Sequence, residues 1–305
     1  MKDECTVPVL FLVFNRPDTT RRVFEVIRQA KPSRLYIAAD GPRENKPGED
    51  QKVQAVRGYV LGNVDWDCEV KTLFRPKNLG CKLAVSSAID WFFENEEEGI
   101  ILEDDILPDP SFFPFCVQLL DKYRHDERVM MISGNNLHGW VETGPNSYYF
   151  SKYGLIWGWA SWRRAWKRYD VTMRLWPQRC SEGFLKTLDT SERFYWRWNF
   201  EHVFSGHIDT WDYQWCFASL VNKGLAVIST VNLISNIGFG EGGTHTKEFD
   251  ARRAAFRIES IRFPLIHPEK LIANDQADKL LRDNFHRMSI LKYVWRTFKE
   301  KIGLK

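Results

Sequence analysis

The feature of this sequence that most limits its fold is a regular alternation of apolar strand segments with helical segments over the first 135 residues. Strands are predicted at Val7–Phe14, Arg34–Ala39, Glu69–Phe74, Gly99–Leu102 and Val129–Ser133. They begin about 30 residues apart, which is the length of a βαβ unit. The sequence therefore predicts an α/β fold with a Rossmann-like, open, mostly parallel sheet and helices on both faces.

Three segments between these strands place apolar residues on one helix face. They are Thr19–Ala30, Cys81–Glu94 and Pro110–Tyr123. In an open α/β sheet, ligands bind at the carboxyl ends of the strands. Residues that directly follow a strand are therefore the first candidates for a functional site.

After residue 135 the alternation stops, and the sequence becomes rich in aromatic residues and glycine. A helix is expected at Trp211–Lys223 and a short strand at Leu225–Ser229. No Pro-, Gly- or Ser-rich linker separates the two halves, so we expect a single domain over residues 1–274. Its halves would be residues 1–135 and 136–274, and a basic helical tail would follow over 275–305.

Charge and composition argue against several classes of protein. The formal net charge is only +3 over 305 residues, so no nucleic-acid partner is expected. The longest apolar run, Val7–Phe14, is too short to span a membrane as a helix, and the acidic start of the chain is unlike a signal peptide. Six scattered cysteines without a CxxC pair are typical of free thiols in a reducing compartment. The expected location is cytoplasmic.

The strongest chemical signal is the run Glu103-Asp104-Asp105, directly after the predicted strand Gly99–Leu102. Two carboxylates about 5 Å apart repel each other by roughly 3 kcal/mol at an effective dielectric constant of about 20. A buried acidic run therefore needs a cation or raised pKa values. Oxygen ligands favour Mg²⁺ or Mn²⁺, with substrate phosphates and water completing the shell. The alternative is a solvated acidic turn or a helix cap.

The stretch from Gly99 to Phe115 resembles the metal-binding region of nucleotide-sugar glycosyltransferases with the GT-A fold. It is most similar to the GlcNAc-transferase I family, whose motif is also EDD followed by an apolar residue and an Asp-x-x-Phe-Phe helix start. The resemblance implies that Asp105 binds Mn²⁺ or Mg²⁺ and that Glu103 and Asp104 face the nucleotide sugar. It extends over roughly residues 7–246, but only the EDD region is specific.

Two further residues at strand ends agree with this resemblance. Arg16, after the first strand, would meet the diphosphate or the ribose, a role that suits a forked donor. The alternative is a surface arginine before a helix. Asp40, after the second strand, resembles the acid that accepts a hydrogen bond from uracil in these enzymes. The alternative is an ordinary Asp-Gly β-turn.

The catalytic base is expected near the start of the predicted helix Trp211–Lys223. Glycosyl transfer with inversion needs a base that takes the proton of the acceptor hydroxyl. The GlcNAc-transferase I family has a Trp-Asp-Asp-Trp stretch here, which implies that Asp212 is this base. Asp209 is the competing base, or simply the helix cap. In the Gly-rich stretch further on, His245 would bind the metal or a diphosphate, or is a surface histidine.

Tryptophan is unusually frequent, with 13 residues, and most of them lie between Trp140 and Trp215. An indole offers a flat apolar face to a sugar ring, so a sugar-binding surface and a Trp-rich core are both open. In similar transferases a Gly-Trp stretch lines the donor sugar and the acceptor. We assign Trp157 and Trp159 to the site and expect the next two, Trp162 and Trp166, in the core.

These observations together predict a metal-dependent inverting glycosyltransferase. It would move a sugar from a nucleoside diphosphate, with a UDP-sugar expected, to a glycan or lipid-linked glycan acceptor. One alternative is a sugar-phosphate nucleotidyltransferase, which usually carries a Gly-rich signature after its first strand, where this chain has Asn15-Arg16-Pro17-Asp18. The other is a non-catalytic carbohydrate-binding protein.

The segment Ile290–Lys305 predicts an amphipathic helix. Its residues Leu291, Val294, Trp295 and Phe298 share one helical face. Five basic residues against one acidic residue, 5 − 1, give the segment a local net charge of +4. Either this face packs on the sheet, or the segment lies in the headgroup region of an anionic membrane and makes the protein peripheral to it.

Overall fold

The computed structural model describes residues 5–137, 144–238 and 257–301. His245 and residues 302–305 of the tail lie outside the described residues. The first half alternates strands and helices as β1 (Val9–Val13), α1 (Pro17–Ala30), β2 (Arg34–Ala39), α2 (Glu49–Gly62), β3 (Glu69–Phe74), α3 (Gly80–Asn95), β4 (Glu98–Glu103), β5 (Ile106–Pro108), α4 (Phe112–Tyr123) and β6 (Val129–Ser133).

The second half of the chain is less regular. Most of its helices lie on the same face of the sheet. Its strands are β7 (Tyr148–Ser151), β8 (Trp159–Trp162), β9 (Leu225–Ser229) and β10 (Ile234–Asn236). Its helices are α5 (Arg163–Trp166), α6 (Trp176–Ser181), α7 (Thr190–Phe204), α8 (Asp212–Val221), α9 (Asp275–Phe285) and α10 (Ile290–Lys301), with a 3₁₀ turn at Phe184–Thr187.

Eight strands form one sheet in the order β3-β2-β1-β4-β8-β6-β9-β7. The pairs β3–β2, β2–β1, β1–β4 and β6–β9 are parallel, whereas β8 is antiparallel to β4 and β6, and β7 is antiparallel to β9. All strands of the sheet except β7 and β8 therefore point in the same direction. The predicted α/β class with an open, mostly parallel sheet is confirmed.

Helices cover both faces of this sheet, because side chains alternate along each strand. On β1, Val9, Phe11 and Val13 face a core that α1, α2 and α4 cover. The intervening Leu10 and Leu12 face a second core that α3, α7, α8 and α9 cover. A strand that is buried on both faces needs a continuous run of apolar residues, and β1 has such a run.

The parallel register brings three strand ends to one edge of the sheet. Val13 pairs with Ala39 on β2, and Leu12 pairs with Glu103 on β4. The residues that follow these strands must therefore meet in space. A second, two-stranded sheet of β5 and β10 lies beside them, and the N–H of Ile237 donates to the carbonyl of Asp105 at 2.8 Å.

The C-terminal helices extend the fold beyond the sheet. The start of α9 is held against β7, because the N–H of Asn274 donates to the carbonyl of Phe150 at 2.7 Å and Ser151 donates to Asp278 at 2.5 Å. Within residues 5–137, 144–238 and 257–301, no helix has the length and apolar character that crossing a membrane requires. The domain boundary after residue 274 stays a prediction.

Candidate functional site

A cavity of about 560 Å³ opens at the edge of the sheet where β1, β2 and β4 end. Its walls carry the acids Asp40, Glu103, Asp104, Asp105, Asp209 and Asp212, and the arginines Arg16, Arg43 and Arg75. The structure thus brings together every described candidate site residue of the sequence analysis except Trp159. Acidic side chains outnumber basic side chains in these walls.

Arg16, at the start of α1, lies between two acids of the triplet. Its guanidinium contacts Asp104 and Asp105 through two different nitrogens, each at 2.8 Å. The arginine is therefore not a free surface residue, which was the alternative. It neutralises one of the two negative charges that these carboxylates bring into the cavity wall.

The acids of the triplet differ in their environments. Asp104 is buried and accepts a hydrogen bond from the N–H of Phe14 at 3.2 Å in addition to the Arg16 pair. Burial raises the pKa of Asp104, and Arg16 partly offsets that rise. Burial also raises the pKa of Glu103, and the neighbouring charges of Asp105 and Asp104 raise it further. Arg16 alone therefore does not offset the cost of ionising these neighbouring acids together.

Gly238, two residues after the end of β10, lies against the triplet. A Cβ atom at this position would lie 2.1 Å from Oδ2 of Asp105 and 2.7 Å from Nη1 of Arg16. The backbone here approaches the ion pair so closely that a side chain cannot fit. The nearby Asn236 holds this turn by accepting a hydrogen bond from the N–H of Gly238 at 2.9 Å.

Two more carboxylates face the triplet from the second half of the chain. Asp212 is the first residue of α8 and accepts a hydrogen bond from the hydroxyl of Thr210. The Oδ2 atom of Asp209 lies 3.3 Å from the position that a Cβ on Gly80 would take, so Asp209 sits over the start of α3. Both competing candidates for the base are therefore in the cavity wall.

The thiol of Cys81 lies in the cavity wall with these acids. The pKa of this thiol is raised to about 12. Burial is the largest cause, and the nearby carboxylates of Glu103, Asp212 and Asp209 are the next largest. Cys81 lines the same cavity as Glu103 from β4 and as Asp209 and Asp212 near the start of α8. The cavity is therefore a single negatively charged compartment that both halves of the chain build.

The structure shows which groups hold Asp40 in the cavity wall. Its carboxylate accepts hydrogen bonds from the N–H groups of Gly41, Leu79 and Gly80 and from the side-chain amide of Asn78, at 2.9 to 3.2 Å. A carboxylate has about four acceptor sites, and these four donors match them. Asp40 therefore fixes the loop that starts α3, and its role toward a nucleotide base stays a prediction.

The structure also separates the two tryptophans assigned to the site. Trp157 lies in the cavity wall. Trp159 does not, and its assignment is wrong: it is the first residue of β8, is 1% exposed, and packs against the rings of Trp211 and Trp166. The reason is the pairing of β8 between β4 and β6, which turns Trp159 into the core. Trp162 and Trp166 are buried as expected.

The donors present fit part of a divalent cation site. Asp105 and Glu103 line the cavity, and Arg16 alone does not offset the cost of ionising the triplet. Among the described residues, no group of three or more His, Cys, Asp or Glu is arranged as a metal cage. Mg²⁺ commonly uses only one or two carboxylates when substrate phosphates complete its shell. The protein would therefore supply a partial ligand set.

Sequence reasoning missed several residues of this site. Arg75 follows β3 directly and lines the cavity, so its position at a strand end was an available signal. Arg43 also lines the cavity, and its backbone N–H donates to the buried Glu49 at 2.7 Å. Glu49, which holds Arg43, is the first residue of α2. The apolar pattern did not predict this helix, so no local signal pointed to Arg43.

The comparisons with known proteins give different results for sequences and for solved structures. No family model matches the chain, and no curated protein matches it significantly. Solved structures do match, among them HddC from Yersinia pseudotuberculosis, which is 8% identical, with 52% of this chain and 78% of that chain covered at a TM-score of 0.31. Another is a UDP-glucose pyrophosphorylase complexed with UDP-glucose, which is 13% identical, with 48% and 62% covered at a TM-score of 0.27. Both TM-scores are too low for either likeness to carry an argument.

Proposed function

We propose that this chain is a metal-dependent inverting glycosyltransferase that takes a sugar from a nucleoside diphosphate, with a UDP-sugar as the expected donor, and passes it to a glycan acceptor. The observation that carries the proposal is the placement of the EDD triplet. It lies at the end of β4 in a cavity of about 560 Å³, and Asp212 and Asp209 face it from the second half. The resemblance of Gly99 to Phe115 to GT-A enzymes supports the same assignment.

In this proposal the acids of the triplet and Arg16 hold the donor. Asp105, with Glu103 beside it, would hold Mn²⁺ or Mg²⁺, and the bound cation would stabilise negative charge on the leaving diphosphate. Arg16 can exchange a carboxylate partner for a phosphate or ribose oxygen, because its planar fork suits both. Trp157 would present a flat apolar face to the sugar.

Asp212 is the proposed base. Its carboxylate takes the proton of the acceptor hydroxyl while that oxygen attacks the anomeric carbon. The bond between the anomeric carbon and the diphosphate breaks, and its electron pair leaves with the diphosphate. The hydroxyl of Thr210 donates to Oδ1 of Asp212 and so fixes the orientation of the carboxylate.

A product-release screen tests the proposal. The protein is incubated with Mn²⁺ and a series of nucleoside diphosphate sugars, with glycan acceptors present, and released UDP is measured. We expect UDP release with at least one donor. Asp212→Asn should lower the rate by roughly 10²-fold or more while donor binding is kept, the usual size of a general-base effect.

The matched control is Asp209→Asn, which changes the other carboxylate of the same wall. Normal turnover in Asp212→Asn together with loss in Asp209→Asn would transfer the role to Asp209. Pyrophosphate release from a nucleoside triphosphate and a sugar phosphate would show a nucleotidyltransferase instead. Glycan binding without any product would show a carbohydrate-binding protein.

A further inference from the structure

Helix α10 contacts helix α7 through two side chains that lie on the same side of α10. The ring of Tyr293 lies 5.2 Å from that of Phe194, and the guanidinium of Arg296 lies 4.7 Å above the ring of Trp198. Phe194 and Trp198 both belong to α7. Tyr293 and Arg296 therefore define the side of α10 that faces the protein.

The opposite side of α10 is apolar and exposed. Leu291 is 80% exposed, Val294 57%, Trp295 56% and Phe298 58%. With 3.6 residues per turn, these four lie on the helix side away from Tyr293 and Arg296. The expectation that this stripe packs on the sheet is therefore wrong, because the helix turns its less apolar side toward α7.

Charge selects the kind of surface that this face fits. The segment 290–305 carries five basic residues and one acidic residue, a net charge of +4 in a chain whose total is +3. Two copies of such a segment would repel each other if their apolar faces met. A basic helix with Trp and Phe on its apolar face is suited to the headgroup region of a negatively charged bilayer.

We propose that α10 binds the surface of anionic lipid bilayers, with Trp295 and Phe298 in the headgroup region and the basic side chains at the phosphates. This binding needs no catalysis. Helix α7, which carries α10, also contacts α8, since the hydroxyls of Tyr195 and Tyr213 lie 3.0 Å apart next to Asp212. If the proposed function also holds, the contact would bring the acceptor side of the cavity to a lipid-linked glycan.

Vesicle co-sedimentation of the full chain tests the proposal without any turnover, so its failure is distinct from failure of the proposed function. Vesicles of phosphatidylcholine alone are compared with vesicles that also contain phosphatidylglycerol, at low and high salt. We expect binding to the anionic vesicles that weakens with salt. Equal binding to both vesicle types, or none to the anionic ones, overturns the proposal.

Point variants identify the surface. Trp295→Ser with Phe298→Ser should lower partitioning by about 10-fold or more, whereas Ile272→Ser, a similarly exposed apolar residue outside α10, should leave it unchanged. Lys292→Glu should lower it by about 5-fold or more, since each basic residue contributes about that factor. Lys52→Glu, on α2, is the matched control for charge reversal.

Two other results count against the proposal. If a chain that ends at Ser289, or the Trp295 and Phe298 double variant, sediments like the wild type, the lipid contact lies elsewhere. If light scattering shows that the full chain is a stable dimer without lipid, and the double variant is a monomer, the apolar face binds a second copy of the chain.

Discussion

At the end of β4, the guanidinium of Arg16 contacts both Asp104 and Asp105. Asp104 is 3% exposed, so loss of its partner would leave a buried carboxylate without a counter-charge. Removing one member of a buried ion pair typically costs about 3 to 5 kcal/mol. Arg16 therefore stabilises the fold when no cation is bound, besides any role in donor binding.

We expect Arg16→Met to lower the free energy of unfolding by about 3 kcal/mol at pH 8, because Asp104 and Asp105 then lose their counter-charge. The loss should shrink as the pH falls and the carboxylates take up protons. Urea unfolding of the wild type and the variant, at pH 8 and at a lower pH, measures this loss. Arg28→Met is the control, since Arg28 and Asp65 form a solvent-exposed pair, and such pairs contribute little to stability. Equal losses in both variants would contradict this role of Arg16.

Gly238 gives a second prediction at this scale. Gly238→Ala places a Cβ within 2.1 Å of Asp105, so either the turn or the ion pair must move. We expect cation-dependent UDP binding to fall by about 10-fold or more, as misplaced groups commonly cause. Gly58→Ala is the control, because no atom lies within 4 Å of its new Cβ and helix α2 gains about 1 kcal/mol from alanine. Unchanged UDP binding in Gly238→Ala would contradict the placement of the site.

The sequence predicted the triplet and Arg16 in one place because parallel strands end at one edge of a sheet. The role of Asp40 in holding the loop was missed because its partners, Asn78 to Gly80, lie about 40 residues further along the chain. Trp159 was misassigned because its burial depends on the pairing of β8 with β4. Roles that depend on distant partners leave no local pattern.

Among the elements, strands with long apolar runs and helices with clear apolar faces were predicted almost to their ends. Helix α2 was missed, since only Val53, Val56 and Val60 mark its buried side besides Glu49. Strand β8 was missed because its four residues include Ser161 among aromatic and small residues, without alternation. Its insertion between β4 and β6 separates two strands that the spacing alone would make neighbours.

The attachment of α9 to β7 should depend on pH. Burial raises the pKa of Asp278 from 3.8 to about 6, although Ser151 and the N–H of Lys152 donate to it. The folded protein therefore binds this proton more tightly than the unfolded chain does. Its contribution to stability is present below about pH 4 and is lost as the pH rises toward 6.

Asp278→Asn should remove this loss and so be more stable than the wild type at pH 7.5, by up to about 3 kcal/mol. At pH 4 the two proteins should be nearly equal. Urea unfolding at both pH values gives the comparison. Asp275→Asn, an exposed change in the same helix, should differ from the wild type by less than about 1 kcal/mol at either pH. Lower stability of Asp278→Asn at pH 7.5 would show that the ionised carboxylate holds α9 in place.

At the scale of the whole molecule, the two halves of the chain have different tasks. The first half builds the parallel strands whose ends carry Arg16 and the triplet, and the second half supplies Asp209, Asp212 and Trp157 across the cavity. The aromatic residues of the second half mostly fill the core on one face of the sheet. The negatively charged cavity and the basic helix α10 are therefore separate features of one molecule.

The central claim is that this cavity binds a nucleoside diphosphate together with a divalent cation. Isothermal titration of UDP into the protein, with Mn²⁺ and with EDTA, tests it most directly, and Asp105→Asn is the variant to compare. We expect UDP binding that requires Mn²⁺ in the wild type. The binding should be lost in Asp105→Asn, although the variant is still folded. UDP binding that is the same with EDTA and in Asp105→Asn, or no binding under any condition, would contradict it.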